Sequence, residues 1–243
     1  MKPNIHKVTT STIAVFALLA VAGPATAQAR NAQSTYATMA PLEQYLIADR
    51  DAEIALARSA APDAISRDAE VLVLSRHGYE TVKNANETAT KGKNGFVCMV
   101  LRGWAAAADF PEFWNAKIRS PICFNAPAAH SYMPLILKKT EWVLAGRTAE
   151  QIGVAIDAAI TRKELPTPEP GAMCYMMSKQ AYLADDDPHW HPHVMFFTPL
   201  TDAAAWGADL PGSPIIAAPA RSEHLTIFLI PVRKWSDGTA DSH

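Results

Sequence analysis

The sequence has little cysteine, no extended basic cluster and no apolar run long enough to span a bilayer. Three cysteines in 243 residues, Cys98, Cys123 and Cys174, are too few for a fold built from disulfides. No Cys-x-x-Cys pair occurs, which removes the usual thioredoxin-type and c-haem attachment motifs. Without runs of Lys or Arg there is no electrostatic footprint for a polyanion, so nucleic acid is set aside as a partner. Also missing are the Gly-x-Ser-x-Gly elbow, the Ser-x-x-Lys pair and His-Glu-x-x-His. Their absence leaves no direct signal for a serine hydrolase or a zincin.

What is present begins with an address. Lys2 and Lys7 give a basic start, Ile13 to Ala22 an apolar stretch, and Ala25-Thr26-Ala27 a small-residue cleavage sequence. This is the layout of a secretory signal peptide over residues 1–27, cut near Ala27. The apolar stretch is about half the roughly 20 residues that a membrane-crossing helix requires, so stable membrane insertion is not expected. The expected location is exported, periplasmic or extracellular. Losing both lysines leaves 20 basic residues against 24 acidic ones, a net charge of −4. In an oxidising compartment one disulfide plus one free thiol is an option, although the apolar surroundings of Cys98 and Cys174 favour buried small hydrophobes.

Residues 28–40 are small and polar without periodicity and read as a flexible leader. The remainder, 41–243, reads as a single domain. Leu42, Tyr45, Leu46, Ala52 and Leu56 keep a roughly helical spacing, which predicts one helix opening at Pro41 and ending before Pro62. Val71 to Ser75 and Tyr79 to Lys83 predict a hairpin closed by the three-residue turn Arg76-His77-Gly78. Asn84 to Gly95 reads as an exposed loop containing the glycosylation triplet Asn86-Glu87-Thr88, and Phe96 to Leu101 as a strand covered on both sides. Three prolines between Asp109 and Ala129 predict an irregular packed crossing.

A helical hairpin follows. One helix runs from Pro134 to Gly146, and a second begins with the capping-box pattern Thr148-Ala149-Glu150-Gln151. Four further β-type runs, Ala172 to Ser178, His193 to Thr198, Ile215 to Ala218 and Thr226 to Val232, complete the chain. The expected class is α+β, with a mostly antiparallel sheet and a central helical hairpin.

The segment richest in chemistry is Asp187-Pro188-His189-Trp190-His191-Pro192-His193. Its two prolines favour extended geometry, which projects His189, His191 and His193 to one face. Alternate imidazoles on a strand offer two or three nitrogens to one ion, and Asp187 adds a carboxylate or orients a ring. Zinc is the first expectation and copper the second, the latter prompted by Met173, Cys174, Met176, Met177 and Met195 nearby. The functional expectation is a binding module holding a metal ion or small ligand at this segment. The alternatives are a metal-dependent hydrolase with Asp187 as base, and an interaction or structural protein of the cell envelope without chemistry. Arg76, His77, Arg102 and Trp104 are candidates for a pocket mouth at strand ends. Cys123 with His130 is a weaker nucleophile pair, and Ser178 beside Lys179 weaker still. No residue pattern fixes an oligomeric state.

Overall fold

The computed structural model describes residues 35–83, 92–185 and 190–242. The signal sequence, most of the leader, Asn86 to Thr88, Asp187 and His189 lie outside them. Residues Gln33–His243 form one compact unit with an α+β architecture built on one eight-stranded sheet.

The chain opens with a 3-10 turn at Leu42–Gln44, and only then comes helix α1, Arg50–Arg58. The single helix expected from Pro41 onward is therefore broken. Asp49 sits in extended geometry and its carboxylate accepts from the amides of Asp51 (3.0 Å) and Ala52 (3.2 Å), so it starts a new helix. Tyr45 turns inward instead and donates its hydroxyl to the Trp114 carbonyl at 2.8 Å. The short helix α2, Asp63–Ser66, leads to β1, Glu70–Ser75, and β2, Gly78–Thr81. Ser75 pairs with Gly78, so the turn has two residues, Arg76 and His77, rather than three. Gly78 takes φ 117, which a side-chain-bearing residue rarely adopts.

Strand β3, Val97–Leu101, is buried along its whole length, as a central strand must be. Next comes β4, Ser120–Phe124, inside the stretch expected to be irregular, followed by α3, Ala126–Ser131. Pro121 is tolerated here for a geometric reason. Cys98 and Cys123 face each other with Cα atoms 4.0 Å apart, the close spacing of a non-hydrogen-bonded pair. Pro121, two residues away opposite Val100, then turns its nitrogen from β3, on the side where the ladder to the next strand covers only Cys123 and Phe124.

Helices α4, Met133–Leu144, and α5, Ala149–Thr161, are joined by a turn in which Gly146 has φ 78. The Thr148–Gln151 capping box forms at the start of α5. Strands β5, Met173–Met176, β6, His193–Pro199, β7, Ile216–Ala220, and β8, Leu225–Pro231, finish the sheet in the order β2-β1-β3-β4-β5-β6-β8-β7. β1 and β3 run parallel; the other neighbours are antiparallel.

Side-chain alternation divides the core between the two faces. Leu72, Met99, Ile122, Phe124, Cys174 and Phe197 pack with Leu135, Ile136, Ile152 and Ile156 of α4 and α5. Val71, Val73, Cys98, Val100 and Cys123 pack instead under Ala57 of α1 and under Ala60 and Ala61, which follow it. All three cysteines are buried, and Cys98 and Cys123 form a disulfide while Cys174 stays a thiol. No described helix is long and apolar enough to cross a membrane.

Candidate functional site

The face that carries α4 and α5 is not filled along its whole length. Toward the C-terminal end of β3 and the start of β6 it opens into a cleft of about 560 Å³. The floor is made by inward-facing residues of adjacent strands: Leu101 and Ser120, then Met176 and His193, then Met195 and Leu229. Ala218 and Ala220 of β7 close one side.

The roof is the segment after β3. Gly103 starts a 3-10 turn, and a Cβ there would lie 2.7 Å from the carbonyl oxygens of both Glu112 and Phe113, so only glycine lets the chain fold back this tightly. Ala105 to Ala107, Phe110 and Pro111 then pass over the strands. Helix α4 fixes this roof. Lys139, fully buried, donates to the carbonyls of Ala105 (3.0 Å) and Ala106 (2.7 Å) and to the Glu223 carboxylate. Trp104 donates its indole N–H to Thr140 at 3.0 Å.

The charged groups bordering the interior are compensated. Arg102 pairs with Glu53 at 2.9 Å and also donates to the carbonyls of Tyr45 and Val100. Of the four residues expected at a pocket mouth, Arg102 lines the cleft, whereas Trp104 is wholly buried, Arg76 pairs with Glu43 on the exterior and His77 is exposed. Tyr132, which borders the cleft, has its hydroxyl held well above the usual phenol range by burial, with Glu223 adding to the effect.

His193 is the sequence candidate that reaches this cleft. It is 6% exposed, and Nδ1 lies 2.8 Å from the His191 carbonyl oxygen. A carbonyl only accepts, so Nδ1 carries the proton and donates. Burial lowers the imidazole's pKa, partly offset by that hydrogen bond, and the neutral ring therefore presents Nε2 as an acceptor. Trp190 packs edge-on against this ring at 5.6 Å and against Trp235 at 5.2 Å.

His191 diverges from His193. It is half exposed, and Nδ1 lies 2.6 Å from Asp241 Oδ2. The other oxygen, Asp241 Oδ1, is the one buried side-chain N or O atom without a hydrogen-bond partner among the described residues. With both Nδ1 atoms engaged, a metal on these rings would bind through Nε2. No group of three or more His, Cys, Asp or Glu suited to a metal occurs among the described residues. Asp185, at the head of the Asp run, accepts from Tyr36, Tyr182, Lys117 and Asn115, and the Tyr182 hydroxyl above all holds its carboxyl well below the usual range.

The remaining candidates are structural. Cys123 is consumed by the disulfide and offers no nucleophile to His130. Ser178 is buried, accepts from Ser59 at 2.6 Å and from the Gln180 amide, and Lys179 pairs with Asp237. The site residues that carry no local sequence signal for this role are the Ala105 to Ala107 roof, Lys139 and Glu223 that hold it, and Asp241 beside His191. The nearest to a signal is the Trp104-Ala-Ala-Ala-Ala108 run: four small residues after a buried strand leave space where bulky ones would fill it. No family model, curated protein or solved structure matches the chain.

Proposed function

We propose that this chain is exported through its first 27 residues and acts as a binding protein for a small, predominantly apolar ligand. The observation that carries the reading is the 560 Å³ cleft, which lies in the size range of small-molecule sites and combines mostly apolar walls with a few polar groups, His193 among them. A disulfide between β3 and β4 supports the exported location, because such bonds persist in oxidising compartments.

The uncharged fluorophore N-phenyl-1-naphthylamine tests the site. It is expected to bind saturably at one per chain. Met195→Trp, which places an indole on the cleft floor, is expected to weaken binding by about tenfold or more with unchanged far-UV circular dichroism. Absence of saturable binding, or identical titrations for both proteins, would overturn the reading.

A second reading, a zinc or copper site, is favoured by Asp241. Its carboxylate orients His191, as carboxylates orient metal-bound imidazoles, and its buried Oδ1 has capacity for a cation. On this reading, elemental analysis of tag-free protein finds about one metal per chain, lost in His191→Ala while the fold persists. Metal-free protein after incubation with zinc and with copper would dismiss it.

A further inference from the structure

The cleft has a charge balance and an uncharged acceptor held in place by its own hydrogen bond, and together they define ligand chemistry. Its cations are committed. All three Lys139 donors are engaged, and Arg102 is held by Glu53 and two carbonyls. Among the described residues no further cation lines the cleft to neutralise a carboxylate or phosphate, and moving an uncompensated ion out of water is strongly unfavourable. The cleft also carries the exposed carboxylate of Asp109, which repels anions further.

Against this background stands His193. Its Nδ1 is spent on the His191 carbonyl, and Nε2 has no hydrogen-bond partner among the described residues, while the residue as a whole is only 6% exposed in the cleft wall. An occupant that covers Nε2 without supplying a donor would leave a buried acceptor unpaired, so one that supplies a donor is preferred. Met176, paired across the ladder with His193, and Met195 surround it with adaptable apolar surface.

Resting on the reading of the cleft as a ligand site, we infer that its ligand is an uncharged apolar molecule bearing a hydroxyl, an alcohol or phenol, which donates to His193 Nε2. The hydroxyl needs no charge partner, and its apolar body lies along Met195, Leu229 and Ile227 under the alanine roof.

Displacement of N-phenyl-1-naphthylamine at neutral pH by three chains of matched length tests this. 1-Decanol is expected to displace the probe at a roughly three- to tenfold lower concentration than its isomer methyl nonyl ether, the value of one neutral hydrogen bond. Hydrophobicity alone ranks the two the other way, because the ether is less soluble in water. Decanoate is expected to be weaker than both. In His193→Phe the alcohol-to-ether ratio falls to about one with the probe still bound, and in His193→Gln, which keeps an acceptor, a preference for the alcohol returns. Equal displacement by alcohol and ether in the unaltered protein, stronger displacement by decanoate, or an unchanged ratio in His193→Phe overturns the inference while leaving the cleft a ligand site. Failure of the probe to bind at all removes both.

Discussion

Replacing Lys139 with methionine is expected to destabilise the protein by about 3–5 kcal/mol, because the change strands the Glu223 carboxylate in an apolar interior. Both side chains are essentially inaccessible to solvent, at 0% and 2% exposure, so water cannot take over the missing contact. Two carbonyls of the roof, Ala105 and Ala106, lose their donor at the same time. Urea denaturation reads the loss as a lower midpoint. The double replacement Lys139→Met with Glu223→Met is expected to recover much of it, since removing both charges of a buried pair is often neutral. If the double variant is no more stable than the single one, stranded charge is not the cause. Probe binding should weaken in the single variant even where it remains folded, because the roof has lost its anchor on α4.

Opening the Cys98–Cys123 disulfide is the second large effect. The bond closes a loop of 25 residues between β3 and β4, and restoring that freedom to the unfolded chain corresponds to about 3.5 kcal/mol. For a chain of this size the fall in Tm is roughly 7–14 °C. Cys98→Ala with Cys123→Ala, melted beside the unaltered protein, measures it. The same protein unfolded without reductant should show one reactive thiol, Cys174, and three after reduction. Equal melting temperatures, or three thiols before reduction, would refute the account.

The sequence was readable where one local rule acted alone. β3 announces itself by unbroken apolar character, and α5 by Thr148 and Gln151, whose capping bonds need only neighbours in the chain. Reading failed where two rules competed. Apolar spacing from Leu42 to Leu56 is helical, yet Asp49 prefers to cap a helix and Tyr45 is drawn to Trp114, far along the chain, so the helix divides. Proline argues against a central strand, and β4 contains Pro121 because its nitrogen falls where no ladder bond is required.

The site divides in the same way. His193 was visible as a strand residue in a histidine-rich segment. Its surroundings come from 103–111, from α4 and from β7 and β8, and no periodicity in 187–193 encodes them. Asp241 stands 50 residues from His191, and Lys139 sits beside Lys138 in a helix where lysine ordinarily faces water. Only burial distinguishes the two lysines, and burial belongs to the assembled fold.

The strand alternation that divides the core also keeps the sulfurs apart. Cys98 and Cys123 project to the α1 side, while Cys174, on the strand next to β4, projects to the other. Burial also raises the Cys174 pKa and keeps it in the unreactive thiol form. Exchange with the neighbouring disulfide requires a thiolate to reach one of its sulfurs, and here the pleated backbone lies between them. Once β4 and β5 have paired, the sheet itself forbids mispaired isomers, and the third cysteine can be carried through an oxidising compartment without scrambling the other two.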